Sequence, residues 1–333
     1  MKKLIIASLV LILSMSLLAG CSQAVSKTQT ETDKKEKITI TIGIQQILGP
    51  LMIAKNKGWF EEEFAKKGVK VQWSEFQSGP PHFEAMASGR LDFGQVGNSP
   101  VLGAQAADIP FKEIANISEG LKGNAILVQK NSSIKTIKDL KGKKVAVAKG
   151  SSGFDLLYQA IDKAGLEPKD VQIIQLQPDE AQPAFETGTV DAWAIWDPFI
   201  SLQETKNRAR VLANCETLNI VSPSFTIVRE EFAEEHPELV VEFLRIYEKA
   251  LQWQYDNHDE AVQILAKEKK ISPEIVEKVL ENTLSLNAPI KEKIVKSQQK
   301  TADFQYSMGA IKQKINTTKV VDNSYIKKAL KEK

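Results

Sequence analysis

Short apolar segments rich in β-branched residues alternate along much of the chain with segments of helical periodicity. The segments that resemble strands are ITITIGIQ, VKVQWSEFQ, LDFGQVG and FKEIANIS, followed by KKVAVAKG, VQIIQLQ, DAWAIWD and ARVLAN. Strands that alternate with helices are typical of a mostly parallel sheet, so the pattern predicts an α/β fold. After Glu230 apolar residues recur at spacings of three and four, which predicts helices toward the C-terminal end.

The predicted strands fall into two sets of four, with two further extended segments at the boundaries between the sets. These segments are residues 124–130 and 221–229. The arrangement indicates either two domains in series or two lobes whose C-terminal helices return to the first lobe. In the second case we expect the two boundary segments to be the strands that cross a hinge.

The N-terminal residues predict export. Lys2 and Lys3 precede an apolar run over residues 4–18, which is too short for a mature membrane span and is typical of a signal peptide. The run ends in Leu-Ala-Gly-Cys at Cys21, which resembles the bacterial lipobox. This resemblance implies a signal peptide of residues 1–20 and a lipid such as palmitate on Cys21. An ordinary signal peptide with an incidental cysteine is the alternative.

Residues 21–37 are polar and lack aromatic side chains, so we expect a flexible tether. A lipidated Cys21 would hold the protein on the extracytoplasmic face of the cell membrane. It would also leave Cys215 without a disulfide partner, and we expect Cys215 to be a small buried residue. A reactive thiol at Cys215 is the alternative.

Composition excludes some classes of protein. The 333 residues include 42% hydrophobic residues, enough for a large core and two domains of ordinary size. The formal charge is only +2 and basic residues form no block outside the two ends, which argues against a nucleic-acid partner.

Several predicted strands end in turns that start helices. Proline follows a glycine or a capping residue at Pro50, Pro80, Pro100 and Pro198, and KGSSG over residues 149–153 forms a fifth such turn. The carboxyl ends of parallel strands share one edge of a sheet, where ligands bind, so we expect the five turns to meet at one crevice. Helix N-termini favour an anion there. Ordinary turns without a shared site are the alternative.

Two kinds of anion are disfavoured because these turns lack the residues that usually bind them. None of the five arginines lies at them, so no bidentate carboxylate clamp is visible. The turn at KGSSG also lacks the G-x-x-x-x-G-K-[ST] pattern of nucleotide phosphate sites. In VDAWAIWDPF, Trp193 and Trp196 face opposite sides of a regular strand, and Trp196 is the one expected to line the crevice. We expect Asp197 to be the N-cap of a helix opened by Pro198.

Nothing in the sequence predicts catalysis. The three histidines show no metal-ligand spacing, and neither C-x-x-C nor G-x-S-x-G occurs. We therefore expect no metal, no cofactor and no catalytic residue. His82 lies on the first turn of a predicted crevice helix, which makes it a candidate for ligand contact.

Four stretches resemble the aliphatic sulfonate-binding proteins of bacterial ABC importers: LKGKKVAVAKGSSGFDLL, GTVDAWAIWDPF, FQSGPPHFEAMASGRLDFGQVGNSP and GPLMIAKNKGWFEEEF. The resemblance implies a type II periplasmic-binding-protein fold, with two α/β lobes, two crossover strands and the ligand in the interlobe cleft. Lobe 1 would comprise residues 38–126 and 225–333, and lobe 2 residues 127–224. It also implies a monomer that captures a small organosulfonate for sulfur acquisition and delivers it to a permease with its ATPase.

Carried over residue by residue, the resemblance implies ligand contacts on five segments. They are Gln45 and Gly49, Gly79 and Pro80, Gly97 and Asn98, the sulfonate donors Ser151, Ser152 and Gly153, and beside these Asp191, Trp193 and Trp196. Asn98 departs from the family pattern, so the shape of the pocket for the organic tail is not predicted. Because a sulfonate does not titrate near neutrality, we expect binding to be independent of pH there.

Related proteins leave alternatives open. Some bind taurine, nitrate or pyrimidine precursors on the same fold. In a different class, a desulfinase would need a nucleophilic thiol in the cleft, and a pyrimidine-precursor enzyme would need a cysteine and histidine cluster. A sensor or adhesin without a transport partner is a further alternative.

Overall fold

The computed structural model describes residues 38–331. The predicted signal peptide, Cys21 and the tether therefore lie outside the described residues. The strands, in chain order, are β1 (Thr39–Ile44), β2 (Lys70–Glu75), β3 (Phe93–Gly97), β4 (Phe111–Ser118), β5 (Asn124–Gln129), β6 (Lys144–Val147), β7 (Gln172–Gln175), β8 (Ala192–Trp196), β9 (Ala209–Asn214) and β10 (Ser224–Arg229). Each of the segments predicted to be extended contains one of them.

Helices connect the strands and form most of the C-terminal third. They are α1 (Pro50–Asn56), α2 (Trp59–Ala65), α3 (Pro80–Ala87), α4 (Asn98–Ala106), α5 (Ser152–Lys163), α6 (Pro178–Glu186), α7 (Phe199–Thr205), α8 (Glu230–Glu235), α9 (Pro237–Asp256), α10 (His258–Lys269), α11 (Pro273–Thr283), α12 (Glu292–Ser307) and α13 (Ser324–Lys331). Short 3₁₀ helices occur at Ile137–Leu140, Pro168–Asp170 and Thr317–Val320.

The strands form two five-stranded sheets of the same design. The first has the order β2-β1-β3-β10-β4 and the second the order β7-β6-β8-β5-β9. In each sheet three consecutive strands are parallel, and the strand next to them runs antiparallel to both of its neighbours. The antiparallel strands, β5 and β10, are the two segments expected to cross the hinge. The fold thus consists of two α/β lobes, each built around one sheet.

The chain passes between the sheets twice, over residues 119–123 and 215–223, and each passage leads directly into β5 or β10. The two passages touch at Gly120. A Cβ atom on Gly120, whose φ is +67°, would lie 1.7 Å from the carbonyl oxygen of Ser222. Only glycine fits this contact, so the two passages can approach each other closely here. β5 begins in the second sheet at Asn124, three residues before the lobe boundary expected at residue 127.

Both faces of each sheet are covered by apolar side chains, which explains why the inner strands β5 and β8 are apolar at most positions, whereas the edge strands β2 and β7 carry several polar residues. The C-terminal helices pack on the first sheet, where Phe243 of α9 stacks on Phe93 of β3 with ring centroids 4.3 Å apart. They therefore belong to the first lobe. Within residues 38–331 no helix combines the length and the apolar character that a membrane crossing requires.

Candidate functional site

A cavity of about 100 Å³ lies between the lobes, at the carboxyl ends of the parallel strands. It offers several times the space that one water molecule needs. Both lobes contribute polar groups. Those of the first lobe include Gln45, Gly49, Gly79, Gln95, Gly97, Ser118, Ser224, Tyr247, Thr283 and Ser285, and those of the second lobe include Asn124, Ser151, Ser152, Trp196 and Asp197.

The first lobe contributes helix starts without side-chain caps. α3 and α4 begin directly after Gly79 and Gly97, and neither helix has a side-chain cap. α3 starts with two prolines, which carry no N–H group, so only α4 offers N–H groups in its first two residues. The first N–H groups of a helix have no carbonyl partner within it, and they lie at the positive end of the helix dipole. Gly79 permits close packing here, because a Cβ on it would lie 2.4 Å from Pro100. At these two helix starts the first lobe therefore presents backbone rather than side chains.

The second lobe contributes the start of α5, which is capped. Ser151 Oγ accepts a hydrogen bond from Phe154 N at 3.2 Å and donates one to Ala148 O at 2.7 Å, so this hydroxyl stabilises the helix start. Ser152 instead faces the first lobe. A Cβ on Gly97 would lie 1.9 Å from Ser152 Oγ, which shows how closely the starts of α4 and α5 approach each other across the cavity.

Two further polar atoms on the wall of the second lobe have no hydrogen-bond partner among the described residues. They are Trp196 Nε1 and Asn124 Oδ1, on side chains that are 9% and 7% exposed. Asn124 and Trp196 are paired residues of β5 and β8, so their side chains lie on the same face of the sheet. A buried polar atom without a partner is costly.

Asp197 also lines the cavity, and its oxygens have partners. Oδ1 accepts hydrogen bonds from Ser201 N at 2.9 Å and Ser201 Oγ at 2.7 Å, and Oδ2 accepts one from Asn282 of the first lobe at 2.9 Å. Burial raises the pKa of Asp197 to about 6, although these hydrogen bonds act to lower it. Asp197 therefore binds an N–H in the first turn of α7, as an N-cap does, although that helix begins at Phe199 and not at Pro198.

Three residues expected in the cleft lie just behind its wall. Pro80 packs near Gly150 across the lobe interface, where a Cβ on Gly150 would be 3.4 Å from the proline ring. Asn98 is fully buried and donates to Asp155 Oδ2 at 3.0 Å. Gly153 packs against β8, because a Cβ on it would lie 2.8 Å from Ala194 O. These residues support the wall without lining the cavity.

Three other residues lie away from the cavity, and two of them, Asp191 and Trp193, were expected from the resemblance to contact the ligand. Asp191 lies at the amino end of β8, opposite the site, where it accepts a hydrogen bond from Lys144 N at 2.8 Å. Trp193 points into the core of the second lobe, because its position in the strand has the opposite parity to that of Trp196. His82 is buried beside β1 and β3, and this burial lowers the pKa of His82 to about 4, which keeps its ring neutral.

Several cavity residues could not be identified from the sequence. Asn124 belongs to the strand expected to act as a hinge, and Tyr247, Thr283 and Ser285 belong to the C-terminal region. Ser118 Oγ donates to the carbonyl oxygen of Thr283 at 2.7 Å, which brings the segment after α11 to the cavity rim. No local sequence pattern predicts these contacts, because they depend on how the chain returns to the first lobe.

Among residues 38–331, no cysteine or histidine lines the cavity, and no three metal-ligating side chains form a group suited to a metal ion. Cys215 lies in the apolar core of the second lobe, and burial raises the pKa of its thiol to about 12. A thiol in this environment is not activated as a nucleophile.

Comparison with known proteins gives consistent results. Residues 46–261 match the family model described as NMT1/THI5 like. The chain is 54% identical to a Bacillus subtilis protein whose name gives aliphatic sulfonates as its ligands, over 97% of this chain and 96% of that protein.

Two solved structures are similar as well. The alkanesulfonate-binding protein SsuA of Xanthomonas axonopodis pv. citri, bound to MOPS, is 31% identical with a TM-score of 0.80, and the match covers 85% of this chain and 98% of that chain. The aliphatic sulphonate-binding protein SsuA of Escherichia coli is also 31% identical, with a TM-score of 0.76, and the match covers 87% of this chain and 99% of that one.

Proposed function

The chain belongs to the NMT1/THI5-like family, and we propose that it is the substrate-binding protein of an ABC importer for aliphatic sulfonates. The names of the B. subtilis relative and of the two solved structures support this ligand class. The binding site in this proposal is the cavity between the lobes. The ligand's charged head lies near the starts of α4 and α5, and its organic tail extends along the apolar lining.

The observation that carries the proposal is the approach of Ser152 to Gly97, in a cavity that Trp196 also lines. These groups supply neutral hydrogen-bond donors and helix N-termini, and the described lining of the cavity contains no lysine or arginine. Neutral donors suffice for an anion that stays charged at every physiological pH. A sulfonate is such an anion.

The same geometry supports capture by closure. The start of α4 belongs to the first lobe and the start of α5 to the second, so a head group between them contacts both lobes only when the lobes are together. A ligand that contacts both lobes favours the closed form by its differential affinity. The two passages that touch at Gly120 and Ser222 are the segments about which the lobes rotate.

The location and the partners that we propose rest on the sequence and the relatives. In this proposal Cys21 carries the lipid that anchors the protein outside the cell membrane, and residues 21–37 tether the two lobes to it. The protein delivers its ligand as a monomer to a permease, whose ATPase drives uptake. Mass spectrometry of the mature protein tests the anchor, with an acylated N-terminal Cys21 as the expected result. An unmodified N-terminus would overturn this part of the proposal.

A desulfinase on the same fold is disfavoured. Such an enzyme needs a nucleophilic thiol at the ligand, whereas Cys215 is buried in the core of the second lobe with a raised pKa. Cys215→Ala tests this point. We expect the variant to bind sulfonates as the original protein does, and release of sulfite by the original protein alone would contradict the account.

Isothermal titration calorimetry tests the ligand class. We expect heat of binding with ethanesulfonate and longer alkanesulfonates, and none with nitrate, bicarbonate or inorganic phosphate. Thermal unfolding gives an independent readout, because a ligand at a hundredfold excess over its Kd stabilises the native state by about 2.7 kcal/mol. Binding of nitrate or bicarbonate without any sulfonate would move the protein to a different ligand class.

A further inference from the structure

A buried carboxylate joins the two lobes behind the wall of the cavity. Asp155 lies in the first turn of α5, in the second lobe, and is 1% exposed. Its oxygens accept hydrogen bonds from two amide side chains of the first lobe, Asn98 Nδ2 at 3.0 Å and Gln305 Nε2 at 3.1 Å. A third amide, Gln159 Nε2, donates at 2.9 Å from within α5. Asp155 is thus bound by groups of both lobes.

The two donors of the first lobe are themselves held in place. Asn98 is the first residue of α4, and its Oδ1 accepts a hydrogen bond from Ser222 Oγ at 3.0 Å. Gln305 lies on α12, which packs on the core of the first lobe, and its Nε2 also donates to Ser99 Oγ at 2.9 Å. Both amides are buried. The contact therefore joins α5 of one lobe to α4 and α12 of the other.

The carboxylate of Asp155 depends on these amides. Among the described residues, the three amides are the groups that lower its pKa, and burial raises the pKa against them. A buried polar group is costly unless it is hydrogen-bonded. When the lobes are apart, water can replace the donors of the other lobe, but in the closed form nothing else takes their place. Loss of such a donor should therefore destabilise the closed form more than the open form.

The contact belongs to the same interface as the proposed site of the sulfonate head. Ser152 and Asp155 are three residues apart in α5, which places them on one face of the helix. Asn98 directly follows Gly97, the residue that Ser152 approaches across the cavity. A rotation of the lobes that separates Asp155 from Asn98 therefore also separates the starts of α4 and α5.

We infer that Asp155 is a positioning residue for closure: its carboxylate holds the two lobes in the arrangement in which Ser152 meets Gly97. The side chain does not touch the ligand in this account. It acts on the equilibrium between the open and closed forms, with or without a ligand. The effect on affinity rests on the proposed function, whereas the effect on closure does not.

Pulsed electron spin resonance on the ligand-free protein measures closure directly. Spin labels at Glu84→Cys on α3 and Asp179→Cys on α6 report on the two lobes, because both positions are exposed and their helices follow the edge strands β2 and β7. Cys21→Ser prevents labelling at that position, and Cys215 is buried. The closed form gives a short distance between the labels and the open form a longer one.

Gln305→Met removes one donor between the lobes and keeps the length of the side chain. We expect the ratio of closed to open protein to fall roughly tenfold, the effect of losing a hydrogen bond to a charged group. The Kd for ethanesulfonate should rise by up to the same factor, since the ligand requires the closed form.

The matched control is Gln159→Met, which removes a donor to the same carboxylate from within α5. Gln159 does not join the lobes, and water can take the place of its half-buried amide. The closed-to-open ratio and the Kd should therefore change by less than about twofold. Equal changes in the two variants would overturn the inference.

Asp155→Asn tests the carboxylate itself, because one acceptor oxygen becomes a donor among amides that donate. We expect the closed-to-open ratio to fall at least as far as in Gln305→Met, that is, roughly tenfold or more. Thermal unfolding shows whether the variants are folded. An unchanged distance distribution and Kd in folded Gln305→Met would overturn the inference and leave the proposed function intact. No binding of any sulfonate by the original protein would refute the proposed function, and the distance distributions would still decide the role of Asp155.

Discussion

The two walls of the cavity have the same design in their strands and differ in what they present to a ligand. The first lobe presents helices that begin at glycines, with no side-chain caps at α3 and α4. The second lobe presents a capped helix start, the hydroxyl of Ser152, and the polar atoms of Trp196 and Asn124. At the helix starts, the first wall presents backbone and the second presents side chains.

Because of this difference, we expect opposite kinds of substitution to weaken ligand binding at the two walls. A backbone wall is damaged when atoms are added, because a side chain then fills the space in which the lobes meet. A side-chain wall is damaged when polar atoms are removed. Substitutions that add atoms in the first lobe and remove them in the second can therefore test whether the two walls differ in this way.

The largest effect is expected from Gly97→Val. The added side chain would overlap Ser152, since even a Cβ would lie 1.9 Å from its hydroxyl oxygen. Overpacking of this kind costs up to about 3 kcal/mol, which corresponds to a loss of affinity of about a hundredfold. Calorimetry with ethanesulfonate measures it. Gly103→Val is the control, because no atom lies within 4 Å of its Cβ position, and an equal loss in this variant would contradict the steric explanation.

A loss of roughly tenfold is expected from Trp196→Phe, which removes one donor to a charged ligand and keeps an aromatic ring. Trp193→Phe is its counterpart in the same strand. Trp193 is fully buried in the core, so its replacement should lower the free energy of unfolding by about 2 kcal/mol with little change in affinity. Calorimetry and urea unfolding separate the two effects. If Trp193→Phe weakened binding as much as Trp196→Phe, the assignment of Trp196 to the cavity and of Trp193 to the core would be wrong.

A severalfold effect is expected from pH. Burial raises the pKa of Asp197 from 3.8 to about 6, so the folded protein holds this proton more tightly than the unfolded chain. The free energy of unfolding contributed by Asp197 therefore falls as pH rises through that range. Ionised Asp197 also repels the sulfonate head, and binding of ethanesulfonate should be tighter at about pH 5 than at about pH 7.

Above neutrality the affinity should be flat, as the sequence leads us to expect for a ligand that does not titrate. Asp197→Asn should remove the dependence at lower pH, which calorimetry across this range can measure. Binding of ethanesulfonate that weakens on acidification, or a dependence that persists in Asp197→Asn, would contradict this role of Asp197.

The smallest effect is expected from the ion pair between Lys278 of α11 and Glu204 of α7, which joins the lobes at 2.7 Å on the surface. Partly exposed pairs contribute about 1 kcal/mol or less and are screened by salt. Lys278→Ala should change the Kd for ethanesulfonate by less than about threefold, and less still at high salt. A loss comparable to that of Trp196→Phe would show that surface charge, rather than the cavity, controls closure.

The sequence predicted the fold well because its signals are local. Strand and helix patterns, together with turns such as those at Pro80 and Pro100, depend on neighbouring residues only. The expectation of two α/β lobes with a cleft between them is confirmed by the sheets and by the SsuA structures. The signal peptide, the lipid on Cys21 and the exact lobe boundaries stay predictions.

The site was less predictable because it is built from contacts between distant parts of the chain. Asp155 meets Asn98 and Gln305, which lie far from it and from each other in sequence. Asp191 shows that a local motif can also assign a residue to the site wrongly. It shares a motif with Trp196, but a strand separates the two by its full length, and only Trp196 reaches the cavity.

A crystal structure of the protein with ethanesulfonate tests the central claim most directly. The account predicts closed lobes, with sulfonate oxygens at hydrogen-bond distance from Ser152 Oγ and Trp196 Nε1 beside the start of α4. A ligand bound to one lobe only, or located outside the cavity between Gly97 and Ser152, would contradict it.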